Sequence, residues 1–295
     1  MSPPVRTARK RHYLMCRPTF FAVDYAINPW MDPTRPVDPA RAMRQWEHLV
    51  DLYRELGHTV SLVEPRPDLP DMVFAANAAS VVDNRVLVSR FKYPERAAEA
   101  RAYRQWFSTR AFRRVATAGH VNEGQGDILP AGRILLAGTG FRTEPAAHAE
   151  VQALLGLPVV TLTLTDPRFY HLDTALTVLG DTEVMYYPGA FDPAGRATLN
   201  ALFPDALLAR REEAEIFALN SVSDGCNVVL PAAAERLASR LEDRGFRPIG
   251  VEMTEFRKAG GGAKCCTLDL HGCVKSDRIR LHRGAVASNG PRQAA

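Results

Sequence analysis

Apolar and polar positions along the chain follow a pattern that recurs five times: a helical stretch stops near a glycine, phenylalanine or proline, and a β-rich run follows. The stretch from Arg41 to Leu56 stops at Gly57 and gives way to Thr59–Val63. A second, from about Arg96 to Ala111, stops at Phe112, and Val115 opens the next strand. Pro145–Leu155 is closed by Gly156 and followed by Val159–Leu162. Ala194–Leu202 ends at Phe203-Pro204 before Ala206–Leu208, and Ala232–Arg244 ends at Gly245-Phe246 before Ile249–Val251. Further β-like runs (Arg85–Val88, Arg133–Ala137, Glu183–Tyr187) lie between the helices, which disfavours a doubly wound sheet of strictly alternating strand and helix. Restarts at intervals of roughly 40 to 55 residues mark a repeated unit. The pattern predicts one α/β domain of five such units over about residues 13–284, with tails at 1–12 and 285–295.

Composition narrows the class. The 295 residues are 46% hydrophobic and 24% charged, which suits a globular protein and excludes collagen, coiled coil and wholesale disorder. Five cysteines are few and odd in number, and three of them, Cys265, Cys266 and Cys273, crowd together, which points to reduced thiols and not a secreted disulfide framework. The formal charge of +4 owes much to Arg6, Arg9, Lys10 and Arg11, in a segment expected to fray. The remaining body is close to neutral, and no stripe of basic and aromatic residues follows, so no nucleic-acid partner is implied. No apolar run approaches the ~20 residues of a membrane span and no apolar signal segment follows the basic start, so the expected compartment is the cytoplasm.

Candidate chemistry lies in four segments. Gly260-Gly261-Gly262-Ala263-Lys264-Cys265-Cys266 lets a ligand approach the backbone and presents a cysteine beyond the turn. On a strand, Cys265 and Cys266 would face opposite ways, one toward a ligand and one toward the core. A phosphate loop needs Gly-Lys followed by Ser or Thr, which is lacking, and adjacent cysteines diverge too much for a zinc site with His271 and Cys273. An inert buried cysteine is the competing reading. A nucleophile needs an imidazole, and His171 stands out because a loop delivers it ahead of Leu172-Asp173-Thr174; on a strand His171 and Asp173 would share a face. Asn122-Glu123-Gly124-Gln125-Gly126-Asp127 reads as a sharp turn holding a carboxylate against a ligand or an imidazole, and Glu123 and Asp127 both remain candidates. In Leu69–Ala78, Asp71 and Asn77 interrupt an apolar stretch, and a buried carboxylate there calls for a cationic partner.

In this order the segments resemble the guanidino-group-modifying enzymes, or penteins, a superfamily that includes dimethylargininase, arginine deiminase, amidinotransferase and arginine dihydrolase. The resemblance implies a five-bladed α/β propeller of ββαβ units around a central active-site channel. It implies Cys265 as nucleophile, His171 as general acid/base and Glu123 as the acid that orients it. Asp71 and Phe74 resemble substrate-lining residues, and Arg90 and Arg142 resemble the arginines that hold an α-carboxylate. Asp173 resembles a guanidinium-binding acid. The segment from Met15 to Met31, with Asn28, and the run Phe74–Ala78 most resemble the arginine dihydrolases.

The implied reaction is hydrolysis of arginine or a methylated arginine through a covalent amidino-thioether, with arginine dihydrolase first, dimethylargininase and amidinotransferase as alternatives, and a non-catalytic binding pentein as the alternative from another class. Asn77, able both to donate and to accept, is expected to hold a neutral ureido group for a second attack. The expected partner is a small cationic substrate; no metal or cofactor is implied, and a homo-oligomer is allowed.

Overall fold

The computed structural model describes residues 4–272. The expected C-terminal tail (285–295), the end of the predicted domain and Cys273 lie outside the described residues. β1 (His12–Cys16) runs parallel to β2 (Thr59–Val63), with the helix Pro39–Glu55 between them. The second sheet contains β3 (Ala79–Val82), β4 (Arg85–Val88) and β5 (Arg114–Thr117), and the third β6 (Ile128–Ala131), β7 (Ile134–Thr139) and β8 (Val159–Thr163). The fourth contains β9 (Leu176–Val178), β10 (Val184–Tyr186) and β11 (Leu207–Leu208), and the fifth β12 (Val222–Ser223), β13 (Asn227–Pro231) and β14 (Arg247–Val251). In each of these the central strand pairs antiparallel with the strand before it and parallel with the strand after it, across a helical connection. The first sheet obtains its antiparallel partner from the far end of the described chain: β15 (Leu268–Asp269) pairs with β1 through Leu14↔Leu268 and Tyr13↔Asp269. The five units predicted from the pattern are therefore five three-stranded sheets, the first completed by a late strand.

Local chemistry explains where the helices lie. The Asp38 carboxylate accepts from the Arg41 N–H at 3.0 Å and Pro39 occupies the first turn, so the first helix starts two residues before the sequence suggested. It buries Ala42, Trp46, Leu49, Val50 and Tyr53, spaced three and four apart, against the core around Tyr13, Phe256 and Cys266. Asp192 caps the helix Pro193–Leu202 through the Gly195 N–H, and Gly156, at φ +78°, ends Pro145–Leu155 in the left-handed conformation that glycine favours. The stretch predicted over 96–111 divides into Pro94–Ala97 and Glu99–Ser108.

The basic N-terminal segment does not fray. Arg6 holds Glu183 with two bonds at 2.6 and 2.7 Å and lies over the Phe246 ring, and Arg9 grips Asp181 in the same forked way. His12, expected in the tail, opens β1. Bidentate arginine–carboxylate geometry fixes direction as well as distance, and these partners come from the fourth unit, far away in sequence. Among the described residues no helix is long and apolar enough to cross a membrane.

Candidate active site

Cys265 lies in a turn over Ala263–Cys266, not on a strand; the Cys266 N–H returns to the Gly262 carbonyl at 3.2 Å. The expected division still holds, because Cys266 belongs to the apolar core while the Cys265 thiol meets polar groups. The preceding glycines are required by close approach: a Cβ on Gly261 would sit 2.3 Å from the Phe74 ring, and one on Gly262 would sit 2.9 Å from Asn220 Oδ1. Phe74 is thus placed by the glycine turn and by edge contacts with Phe21 and Phe256.

Asn220 escaped the sequence reading. Its Oδ1 accepts from the Cys265 N–H at 3.1 Å, and its Nδ2 donates to the Asp173 carbonyl and lies 3.1 Å from Cys265 Sγ. One amide therefore fixes both the backbone and the sulfur of the candidate nucleophile. The Asp173 carboxylate stands 3.4 Å from the same sulfur. Burial pushes the thiol well above its ordinary range and the neighbouring Asp173 carboxylate pushes it further, so without a cation the sulfur is held protonated. Burial also raises Asp173, to about 6, against the opposing pull of His171 and Lys264.

His171 and Asp173 do not share a strand face. Leu172–Ala175 is a single helical turn with His171 at its N-terminal cap, because Asp127 Oδ1 accepts the Leu172 N–H at 3.0 Å and starts the turn. The two acids of the glycine turn thus divide their work. Asp127 binds backbone, with Thr143 on its other oxygen, whereas Glu123 Oε2 meets His171 Nε2 at 2.7 Å. Gly124, at φ +55°, makes this turn possible: a Cβ there would lie 2.7 Å from the Ala79 backbone.

Arg142 is committed to this network. It gives Nη1 to Glu123 at 2.9 Å and Nη2 to the Ile27 carbonyl at 2.9 Å, and its guanidinium is sandwiched between Tyr93 and Tyr170. Burial alone would raise the Glu123 carboxyl, but Arg142 and His171 outweigh burial and hold it well below the usual carboxylate range. An ionised carboxylate only accepts, so His171 Nε2 carries a proton and Nδ1 is the ring's free end. That Nδ1 is buried and has no partner.

Asp71 and Asn77, on the 3-10 turns Pro70–Val73 and Ala75–Ala78, complete the group. Tyr25 donates to Asp71 Oδ2 at 2.9 Å, leaving Oδ1 unpartnered. Arg96, a second residue the sequence reading missed, donates to Asn77 Oδ1 at 2.9 Å and to both oxygens of Glu99. Asn77 Oδ1 thus already accepts one bond from Arg96, and the side-chain atom without a partner is Nδ2. Arg90 is not brought into this group. It is exposed and bonds the Gly119 carbonyl at 2.6 Å. Asn28 ties a covering segment down, donating to the Ala259 carbonyl at 3.1 Å while accepting from Trp30 N.

A buried thiol 3.4 Å from a carboxylate, in a site with an imidazole held by an ionised acid, suits attack on a cationic amidine carbon; with five small α/β sheets it defines the class of guanidino-group hydrolases. The chain belongs to the dimethylarginine dimethylaminohydrolase family, whose eukaryotic N,N dimethylarginine dimethylhydrolase profile matches residues 21–206. It is 56% identical over 270 residues to the N(G),N(G)-dimethylarginine dimethylaminohydrolase of Mycobacterium tuberculosis, covering 92% of this chain and 89% of the relative. It is 39% identical over 277 residues to the bifunctional arginine dihydrolase/ornithine cyclodeaminase AgrE of Nostoc, covering 92% of this chain but only 39% of that larger protein. The solved N-terminal domain of cyanobacterial ArgZ, an arginine dihydrolase captured with its substrate as a cysteine-to-serine mutant, superposes with a TM-score of 0.85 at 36% identity, over 89% of this chain and 98% of that one. The pentein membership implied by the motifs is thereby shown, and the protein is a C–N hydrolase of guanidino groups.

Proposed function

We propose that the protein is an arginine dihydrolase, converting arginine and two waters into ornithine, carbon dioxide and two molecules of ammonia. One observation carries the reading: Arg96 already bonds Asn77 Oδ1, and the atom of Asn77 left without a partner is the Nδ2 donor. An N–H repels the N–H edge of a guanidinium but suits the carbonyl oxygen of a ureido group. Such a donor favours retention of the first hydrolysis product for a second round.

In the first step Asp71 and Asp173 hold the guanidinium by charge-assisted hydrogen bonds. The bound cation reverses the electrostatics that keep Cys265 protonated, so substrate helps to make its own thiolate, the thiol proton passing to His171 Nδ1 to give the imidazolium. Sγ bonds to the guanidinium carbon; the C–N bond to a terminal nitrogen breaks, and the His171 imidazolium supplies the proton that releases ammonia. His171 Nδ1 then deprotonates water, which attacks the amidino-thioether and expels Cys265, leaving citrulline. Repetition on the ureido carbon releases the second ammonia and leaves a thiocarbamate; water displaces Cys265, and the carbamate so formed loses carbon dioxide as the bond to the side-chain nitrogen breaks, giving ornithine. Arg96, buried beside Asp71 and Asn77, spends its guanidinium on Glu99, Asn77 Oδ1 and the Asp71 carbonyl, and so positions the two side chains that meet the substrate. Cys265 is itself buried and Tyr25, Ile27 and Asn28 bind Asp71, Arg142 and Ala259, so entry requires that this segment move. Four free cysteines among the described residues suit the reducing cytoplasm.

Product analysis with arginine tests the reading: ornithine with two equivalents of ammonia is expected, and citrulline that accumulates without ornithine overturns it. Asn77→Asp, which replaces the donor by an acceptor, is expected to stop the reaction at citrulline. The second reading, dimethylargininase, is favoured by the 56% identical mycobacterial relative. Dimethylamine release from dimethylarginine, with arginine untouched, would establish it instead.

A further inference from the structure

A pocket of about 80 Å³ opens between β1, β6, β9, β12 and β15, and none of Cys265, His171 and Glu123 lines it. Two of its lining residues carry buried polar atoms with no partner, the Tyr13 hydroxyl and Arg11 Nε. Tyr13 is 1% exposed, so its hydroxyl has lost water without gaining a hydrogen bond, a cost that a ligand would recover. Lys264 also lines the pocket; its ammonium donates to Gln125 Oε1 and the Thr267 carbonyl, both at 3.0 Å, and has a third N–H to give. Two acids share the lining. Arg9 takes both oxygens of Asp181, and Asp269 stands 3.8 Å from Arg11, beyond hydrogen-bond reach. The Asp269 carboxylate, 3.8 Å from Arg11 and 4.0 Å from His271 Nδ1, thus shares the pocket with the Arg11 and Lys264 cations and the unused Tyr13 hydroxyl.

We propose that this pocket is a second ligand site, separate from the guanidino-hydrolase site, that takes a small oxyanion-bearing metabolite, with the carboxylate or phosphate oxygens received by Arg11, Tyr13 and Lys264. The proposal does not depend on which guanidino compound the enzyme hydrolyses. The test is calorimetry on the full chain with inorganic phosphate and with succinate as probes, which separates phosphate from carboxylate recognition. Binding of either is expected, weakened about tenfold or more by Tyr13→Phe and by Arg11→Gln, the loss of one hydrogen bond to a charged acceptor. Because the Tyr13 hydroxyl is unpaired, Tyr13→Phe is expected to melt no lower than the parent protein. In the Cys265→Ala protein, saturating arginine is expected to leave probe binding unchanged. Absence of binding by both probes, unchanged affinity in the two variants, a lower melting temperature for Tyr13→Phe, or displacement by arginine would each overturn the proposal.

Discussion

Two buried carboxylates, Glu123 and Asp173, behave in opposite ways. Glu123 is driven down, because Arg142 and His171 both bind it and more than offset the cost of burial. Asp173 is driven up to about 6, because burial dominates and one of its oxygens has no partner. Of the nine unpartnered buried polar atoms among the described residues, four belong to Asp71, Asn77, His171 and Asp173, and none to Glu123 or Arg142. The difference separates groups that finish their hydrogen bonding within the protein from groups that leave an atom for a ligand. The first kind position, and the second kind bind.

The contrast can be broken from either side. The largest effect is expected on the positioning side: Glu123→Gln removes the ionised acceptor that fixes the His171 tautomer, and kcat should fall by roughly 10²–10⁴-fold. Steady-state kinetics on folded protein would show it, and a change confined to KM would contradict the assignment. On the binding side, Asp173 imposes a pH dependence whose sign is fixed by its raised value. Its folded form favours the proton, so its contribution to stability is full below about pH 4 and is lost as pH rises through about 6, on the order of 3 kcal/mol in all. Glu123 works the other way, contributing above the ordinary carboxylate range and losing that contribution in acid. Melting curves across pH 4–7 should therefore show Asp173→Asn gaining on the parent protein as pH rises. Parallel curves would remove Asp173 as the source.

Asn220→Ala is next in size. It leaves the buried Cys265 N–H without an acceptor and should cost about 1–3 kcal/mol in denaturant unfolding. The same variant should alter the alkylation rate of Cys265, which a purely structural asparagine would leave alone. The smallest effect belongs to Arg90→Ala. This exposed side chain bonds one surface carbonyl, and its loss should change stability by no more than about 0.5 kcal/mol and leave KM for the guanidino substrate in place. A large rise in KM would return Arg90 to the substrate.

The particular residues show what the sequence could and could not disclose. Helix ends at Gly57 and Gly156 and the strands Thr59–Val63 and Arg85–Val88 were legible because their signals are local. Cys265, His171, Glu123 and Asp71 were legible because glycine turns and polar interruptions of apolar runs mark them out. Asn220 sits in the ordinary run Ala218-Leu219-Asn220-Ser221, and its meaning arises only when Cys265, 45 residues on, folds against it. Arg96 stands only as the start of the predicted stretch over 96–111, with nothing local to mark it; Glu99, three residues later, lets it be buried. Arg6 and Arg9 looked like a solvated tail because their acids lie 177 and 172 residues away.

The pairing of β15 with β1 has a temporal consequence. Leu268 and Asp269 follow Cys265 by only a few positions, so the strand that completes the first sheet and the thiol leave the ribosome almost together. A nascent chain that has folded its second, third and fourth units already holds Glu123, His171 and Asp173, yet it has neither the sulfur nor a finished first sheet. Synthesis order therefore couples the two: the candidate nucleophile emerges within a few residues of the strand that staples early chain to late, and a half-made chain has neither.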